Sequence, residues 1–235
     1  MLSLAFVTGT QPDKWVRRYR DRTSHGPLSY HSDDDPLVLL TQRKVDAVLC
    51  RLPDSRINQD ECFVVELYEE QPGVAVPKDS VFGEAAVAVT DHDIADEICH
   101  YQPVSGQPVD IGAIRTGLQI VAANVGVVLG PRPVLQLLSG KKIVDLEFCA
   151  PSWPATRVAL VWWKDRDAPD IQDLVGIMKG RRPSSSRQEG ASGRKPKKSA
   201  REKTLDKQRR RQRREGYRTS SMQKGKGRKG KRGRR

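Results

Sequence analysis

Along residues 1–180 the apolar positions come in short runs, broken by polar clusters that Gly or Pro marks. Residues 2–7 (Leu-Ser-Leu-Ala-Phe-Val) form such a run and predict a buried strand. Thr8-Gly9-Thr10 turns the chain. Pro12 suits the first turn of a helix, with Trp15, Val16 and Tyr19 at helical spacing and Arg17, Arg18, Arg20 and Arg22 facing outward. Gly26-Pro27 ends that helix, and residues 28–31 predict a second strand. Asp35 is placed to cap a second helix that Pro36 opens and Leu37 and Leu40 continue. Residues 45–52 predict a third strand, closed by Pro53. Strands joined by helix-length crossovers favour a parallel sheet with right-handed connections.

Further along, residues 62–68 and 73–76 predict strands, and the polar Glu69-Glu70-Gln71-Pro72 between them reads as a crossing between two lobes. Thr90-Asp91-His92-Asp93 matches a capping pattern and predicts a helix at Ile94 and Ala95, followed by a Gly/Pro-rich loop over 101–109. Residues 111–124 predict a helix despite Gly112 and Gly117, with Gly126 at its end. A strand at 127–129 leads into a short helix that starts at Gly130-Pro131 and stops at Gly140. Residues 143–148 and 158–163 predict strands. A last helix follows Asp167, with Ile171, Leu174, Val175 and Met178 as its apolar stripe and Gly180 as its stop. The whole reads as an α/β chain.

Charge divides the chain in two. Of 42 Lys/Arg and 29 Asp/Glu, 24 and 4 fall in residues 181–235, a net of +20; residues 1–180 keep 18 and 25, a net of −7. The tail has almost no core-forming residues beyond Leu205, Tyr217 and Met222, so it is expected to be disordered. Its basic runs, including Arg209, Arg210, Arg211, Arg213, Arg214, Lys229, Lys231 and Arg232, suit nonspecific binding of nucleic acid by phosphate neutralisation.

Several phrases in order carry a family resemblance. They are the 4–9 turn before the Trp15 helix, residues 45–53, residues 65–77 (Val-Glu-Leu-Tyr-Glu-Glu-Gln-Pro-Gly-Val-Ala-Val-Pro), residues 120–131 and residues 158–163. Together they resemble the effector-binding domain of LysR-type transcriptional regulators over about residues 2–180. The resemblance implies a two-lobed fold like type 2 periplasmic binding proteins, with about 1–72 and 166–180 in one lobe and about 73–165 in the other. It implies a small effector, an organic anion, in the cleft between them. By position the effector contacts would be Thr8, Gly9, Thr10, Arg51, Pro53 and Gln71, with Gly126, Gly130 and Pro131 from the second lobe. It further implies a side-by-side homodimer. The family's winged helix-turn-helix has no counterpart in these residues, so the expectation is a stand-alone effector module, its second lobe short where 100–111 replaces more regular structure.

Elementary chemistry agrees in part. Thr8–Thr10 lies at the carboxyl end of a strand and the start of a helix, where amides and hydroxyls favour an anion; a plain N-cap is the competing reading. For Arg51 the competing reading is a surface ion pair. Catalysis finds little support. Asp91-His92-Asp93 is better explained by capping, and Asp33-Asp34-Asp35 by the dipole of the helix that follows. His25, His31, His92 and His100 have no metal spacing, and Cys50, Cys62, Cys99 and Cys149 contain no CxxC pair. There is no phosphate loop, nucleophile elbow or dinucleotide glycine pattern. No enzyme activity and no cofactor are expected. With no signal-like start and no membrane-length apolar run, the expected location is the cytoplasm. The alternative function is a nucleic-acid- or ribosome-associated protein acting mainly through the tail.

Overall fold

The computed structural model describes residues 1–151 and 153–181. The chain runs β1 (Leu2–Val7), α1 (Asp13–Arg22), β2 (Leu28–Asp33), α2 (Pro36–Thr41), β3 (Ala47–Leu52) and β4 (Cys62–Glu69). It continues through β5 (Pro72–Pro77), α3 (Val81–Ala85), β6 (Val89–Thr90), β7 (Cys99–Tyr101), α4 (Ile111–Val121) and β8 (Val127–Pro131). The last elements are α5 (Arg132–Leu138), β9 (Ile143–Cys149), β10 (Arg157–Trp163) and α6 (Pro169–Met178).

These strands form two five-stranded sheets, one per lobe. The first has the order β2-β1-β3-β10-β4, the second β6-β9-β5-β8-β7. In the first, β1 pairs in parallel with β2 and β3, as helix-length crossovers require, and β10 runs antiparallel between β3 and β4. Helices cover both of its faces. On one face Tyr19 of α1 and Ile171, Leu174 and Ile177 of α6 pack on Leu4, Leu49 and Leu160. On the other, Leu37 and Leu40 of α2 pack on Ala5, Val48 and Val161. Double coverage explains why β3 and β10 are apolar without alternation. The second lobe repeats the plan, with α4 and α5 on one face (Ile114, Leu118, Val134, Leu135) and Phe82, Ile94 and Trp153 towards the other.

The chain passes between lobes twice, at 70–71 and again across 150–156. The passages are joined to each other: the Glu70 N–H donates to the Thr156 carbonyl at 2.9 Å.

Four sequence expectations change. Residues 91–96 form successive turns rather than a helix. The Thr90–Asp93 bracket does form, with the Thr90 N–H and hydroxyl both donating to Asp93 Oδ2 at 2.8 and 2.6 Å. Behind it, however, come Asp96 and Glu97 and a single buried apolar residue, Ile94, so no stripe holds a helix down. The 100–111 stretch, expected without regular structure, begins inside a strand, because Cys99–Tyr101 (β7) pairs in parallel with β8. β10, expected in the second lobe, belongs to the first sheet. Asp35 occupies the N-cap position of α2 but makes no side-chain cap bond, since its carboxylate is taken by Arg56.

Candidate functional site: a pocket between the lobes

A pocket of about 540 Å³ lies between the lobes. One wall is Val7, the 34–37 segment after β2, and Cys50, Arg51, Asp54 and Arg56 at and beyond the end of β3; the other is the 107–112 segment leading into α4. The first wall exists because parallel strands bring their carboxyl ends to one edge of the sheet, where open α/β sheets hold ligands.

Carboxylates dominate the pocket lining. Asp34, Asp35 and Asp54 on the first wall and Asp110 on the other face two guanidiniums, Arg51 and Arg56. Asp35 and Asp54 share Arg56, with contacts of 2.6 and 3.0 Å to Asp35 and 2.7 and 3.0 Å to Asp54. Asp34 reaches across to the other lobe: Arg115 of α4 donates to it at 3.0 Å, and the Thr8 hydroxyl at 2.5 Å. The Arg115 hydrogen bond, helped by Thr8 and opposed by partial burial, holds the Asp34 carboxyl below its ordinary value. Asp110 caps α4, accepting from the Ala113 N–H at 2.9 Å. Burial pushes the Cys50 thiol up to about 12, which leaves it protonated and unreactive.

Arg51 is only 5 % exposed, and not a surface ion pair. It holds Glu70 side-on, Nε to Oε2 at 2.7 Å and Nη2 to Oε1 at 2.9 Å, and the Thr156 hydroxyl donates to the same carboxylate at 3.2 Å. Arg51 Nη1 is buried without a partner among the described residues.

The other expected contacts are dispersed. Thr8 and Thr10 are buried, and their donors are spent within the protein. The Thr8 amide bonds the Asp33 carbonyl, while the Thr10 amide and hydroxyl both turn back to the Val7 carbonyl. An anion at this turn would therefore displace existing bonds. Gly9, at φ +96°, is where the lobes touch: a Cβ there would lie 2.9 Å from Val134 Cγ2 of α5 and 2.9 Å from Arg51 Nη2. Pro53 is exposed beyond β3, and the Gln71 carbonyl accepts from the Arg132 N–H at 2.8 Å in the first passage. Gly130 and Pro131 are buried, Gly130 against Ile114 and Leu135. Gly126 lies at the opposite end of β8, roughly 13 Å away along the strand, packed on Ile98 and His100. Of the nine, only Arg51 lines the pocket. Asp34, Asp54, Arg56 and the 107–112 segment were not singled out as ligand contacts. Their signal was topological, namely the carboxyl edge of a sheet opposite the entry of a helix, and no motif marks it. The basic residues from Arg209 to Arg232 lie outside the described residues.

Among the described residues no group of three His, Cys, Asp or Glu could hold a metal ion, and no helix is long and apolar enough to cross a membrane. No curated protein matches the chain. Solved structures do. The BenM effector binding domain with its effector benzoate superposes with a TM-score of 0.58 at 16 % identity, covering 76 % of this chain and 90 % of that one. A reduced form of OxyR from N. meningitidis gives 0.56 at 18 %, covering 78 % and 96 %. CbnR, a LysR family transcriptional regulator, gives 0.56 at 13 %, covering 76 % and 68 %. At these identities the likeness establishes the fold, the two-lobed arrangement of type 2 periplasmic binding proteins that the sequence resemblance implied. The family model for the LysR substrate binding domain matches residues 13–182, and the chain belongs to that family.

Proposed function

We propose that the protein is a non-catalytic, cytoplasmic effector-binding module whose small organic effector sits in the pocket between the lobes. The observation that carries this is the pocket's two-sided wall: a ligand there touches the 34–37 segment and the 107–112 segment at once, and so senses how far apart the lobes are. The wall's charge argues against the anion that the resemblance implied. BenM takes benzoate, a carboxylate. Here four carboxylates face two guanidiniums, and in the turn that would cradle an anion the amides and hydroxyls of Thr8 and Thr10 already donate within the protein. An effector carrying an amine or guanidine fits the wall better, displacing Arg56 or Arg115 from a carboxylate and taking its place. Thermal unfolding of the full chain with panels of organic amines and organic acids tests this. A ligand at a hundred times its Kd stabilises by about 2.7 kcal/mol. Stabilisation by amines, lost in Asp54→Asn, is expected; stabilisation by acids alone would reverse the charge assignment.

The tail's charge supports nonspecific, salt-sensitive nucleic-acid affinity as a second property, and the alternative reading, a nucleic-acid- or ribosome-associated protein, rests on that same +20. A homodimer belongs to the proposal as well, and sedimentation of the full chain tests it.

A further inference from the structure

One group that lines the pocket has incomplete hydrogen bonding. The Arg51 side chain is only 4 % exposed, and its guanidinium is used on one edge alone. Nε and Nη2 grip the Glu70 carboxylate, which leaves the two N–H groups of Nη1 buried without an acceptor among the described residues. Glu70 is already shared, since Thr156 also donates to it. Buried donors are nearly always paired, and an orphan one beside a cavity marks the place of an acceptor that comes from outside.

Three residues further along the chain the balance is opposite. Asp35 and Asp54 share the single guanidinium of Arg56, a set with one negative charge in excess. The Asp54 side chain is 5 % exposed, so its charge is poorly screened by water. One more cation restores neutrality there. Arg51 and Asp54 both line the 540 Å³ cavity, and with three residues between them their Cα atoms lie within about 10 Å. A bare amine would answer Asp54 and leave Nη1 unpaired. A bare acid would answer Nη1 and set a further anion beside Asp35 and Asp54. A short molecule with both groups answers both.

We infer that the effector is such a molecule: an amine that also carries an oxygen acceptor, as a carboxylate or an amide, with its nitrogen at Asp54 and its oxygen on Arg51 Nη1. The inference rests on the pocket being the effector site and narrows the amine class proposed above.

The test is calorimetric titration of the full chain with matched probes of two, four and six carbons. The four-carbon set is butylamine, 4-aminobutanoate, 4-aminobutanamide and butanoate; the others follow the same pattern. At one length or more, an oxygen-bearing amine should bind roughly 10- to 100-fold tighter than the plain amine, the effect of a hydrogen bond to a charged donor. Whether the carboxylate or the amide binds tighter identifies the oxygen, and either result supports the inference. Arg51→Met/Glu70→Met should bind the plain amine as before and lose the preference for oxygen. If that variant does not fold, Arg51→Lys serves, since it keeps a cation on Glu70 without the guanidinium fork. Asp54→Asn should weaken plain and oxygen-bearing amines alike. Equal affinity for plain and oxygen-bearing amines at all three lengths overturns the inference and leaves the amine reading of the pocket standing. A preference for oxygen that persists without Arg51 also overturns it. Binding of the plain acids alone overturns it together with the charge assignment, and binding of none of the probes removes both it and the amine reading.

Discussion

Glu70→Gln isolates the electrostatics of the Arg51–Glu70 pair, because the substitution preserves shape and removes one charge. In the native fold both side chains are almost wholly buried, at 4 % and 0 % exposure, and held by two hydrogen bonds of 2.7 and 2.9 Å. Without the carboxylate, Arg51 becomes a buried cation with no countercharge, and Nη1, already lacking a partner, adds to the deficit. Breaking a buried pair from one side costs about 3–5 kcal/mol. For a domain of this size each kcal/mol lowers Tm by about 2–4 °C, so the variant should melt about 6–20 °C lower by circular dichroism. The companion is Arg51→Met/Glu70→Met, which removes both charges and both desolvation costs; it should recover most of the loss and could exceed the native protein. A single variant within about 2 °C of the native protein, or a double variant that melts below the single one, would refute the account of a dry, mutually dependent pair.

Other outcomes follow from the junction of the lobes and from the thiols. Gly9→Ala places a methyl 2.9 Å from Val134 and Arg51 at a left-handed backbone position, so it should cost about 1–3 kcal/mol in denaturant melts; an unchanged midpoint would show that the lobes do not touch there. The Asp34 carboxyl is depressed below 3.8, so its stabilising contribution is complete above that pH and is lost as pH falls through its lower folded value. Arg115→Ala should move the Asp34 titration, followed by carboxyl NMR, back towards 3.8, and no movement would break the assigned cause. Under native conditions a thiol reagent should label the exposed Cys99 and Cys149 and spare the buried Cys50 and Cys62, while labelling of all four before unfolding would contradict their burial.

The sequence was most legible where pattern and packing coincide. Residues 2–7, 47–52 and 157–163 are short apolar runs because both faces of their sheet are covered, and their strands were readable from that alone. The first βαβαβ order also fixed a parallel core. Legibility failed where a few residues act through tertiary partners. A three-residue strand such as Cys99–Tyr101 has too little pattern to see, and it forms because β8 offers an edge. Asp35 looked like a cap because local spacing cannot reveal Arg56, 21 positions away. Thr8 and Thr10 have suitable chemistry in a suitable place, but only coordinates show that Asp34 and the Val7 carbonyl have claimed it. Gly126 was set apart from Gly130-Pro131 by just a few residues, yet along an extended strand that separation spans the sheet.

The paired passages at 70–71 and 150–156 have a mechanical consequence. Two adjacent strands of chain, bonded Glu70 to Thr156, define an axle, and one lobe can turn against the other about that line more easily than it can slide or twist. Displacement in such a rotation grows with distance from the axle. Glu70, and Arg51 with it, sits on the line and stays enclosed through the swing, which is where a charge that cannot tolerate water on one side only is best kept. Asp34 and Arg115 grip each other across the gap on the lever arm, half exposed, where a small turn is enough to part them. The costly ion pair thus lies on the line of the passages and the half-exposed one away from it.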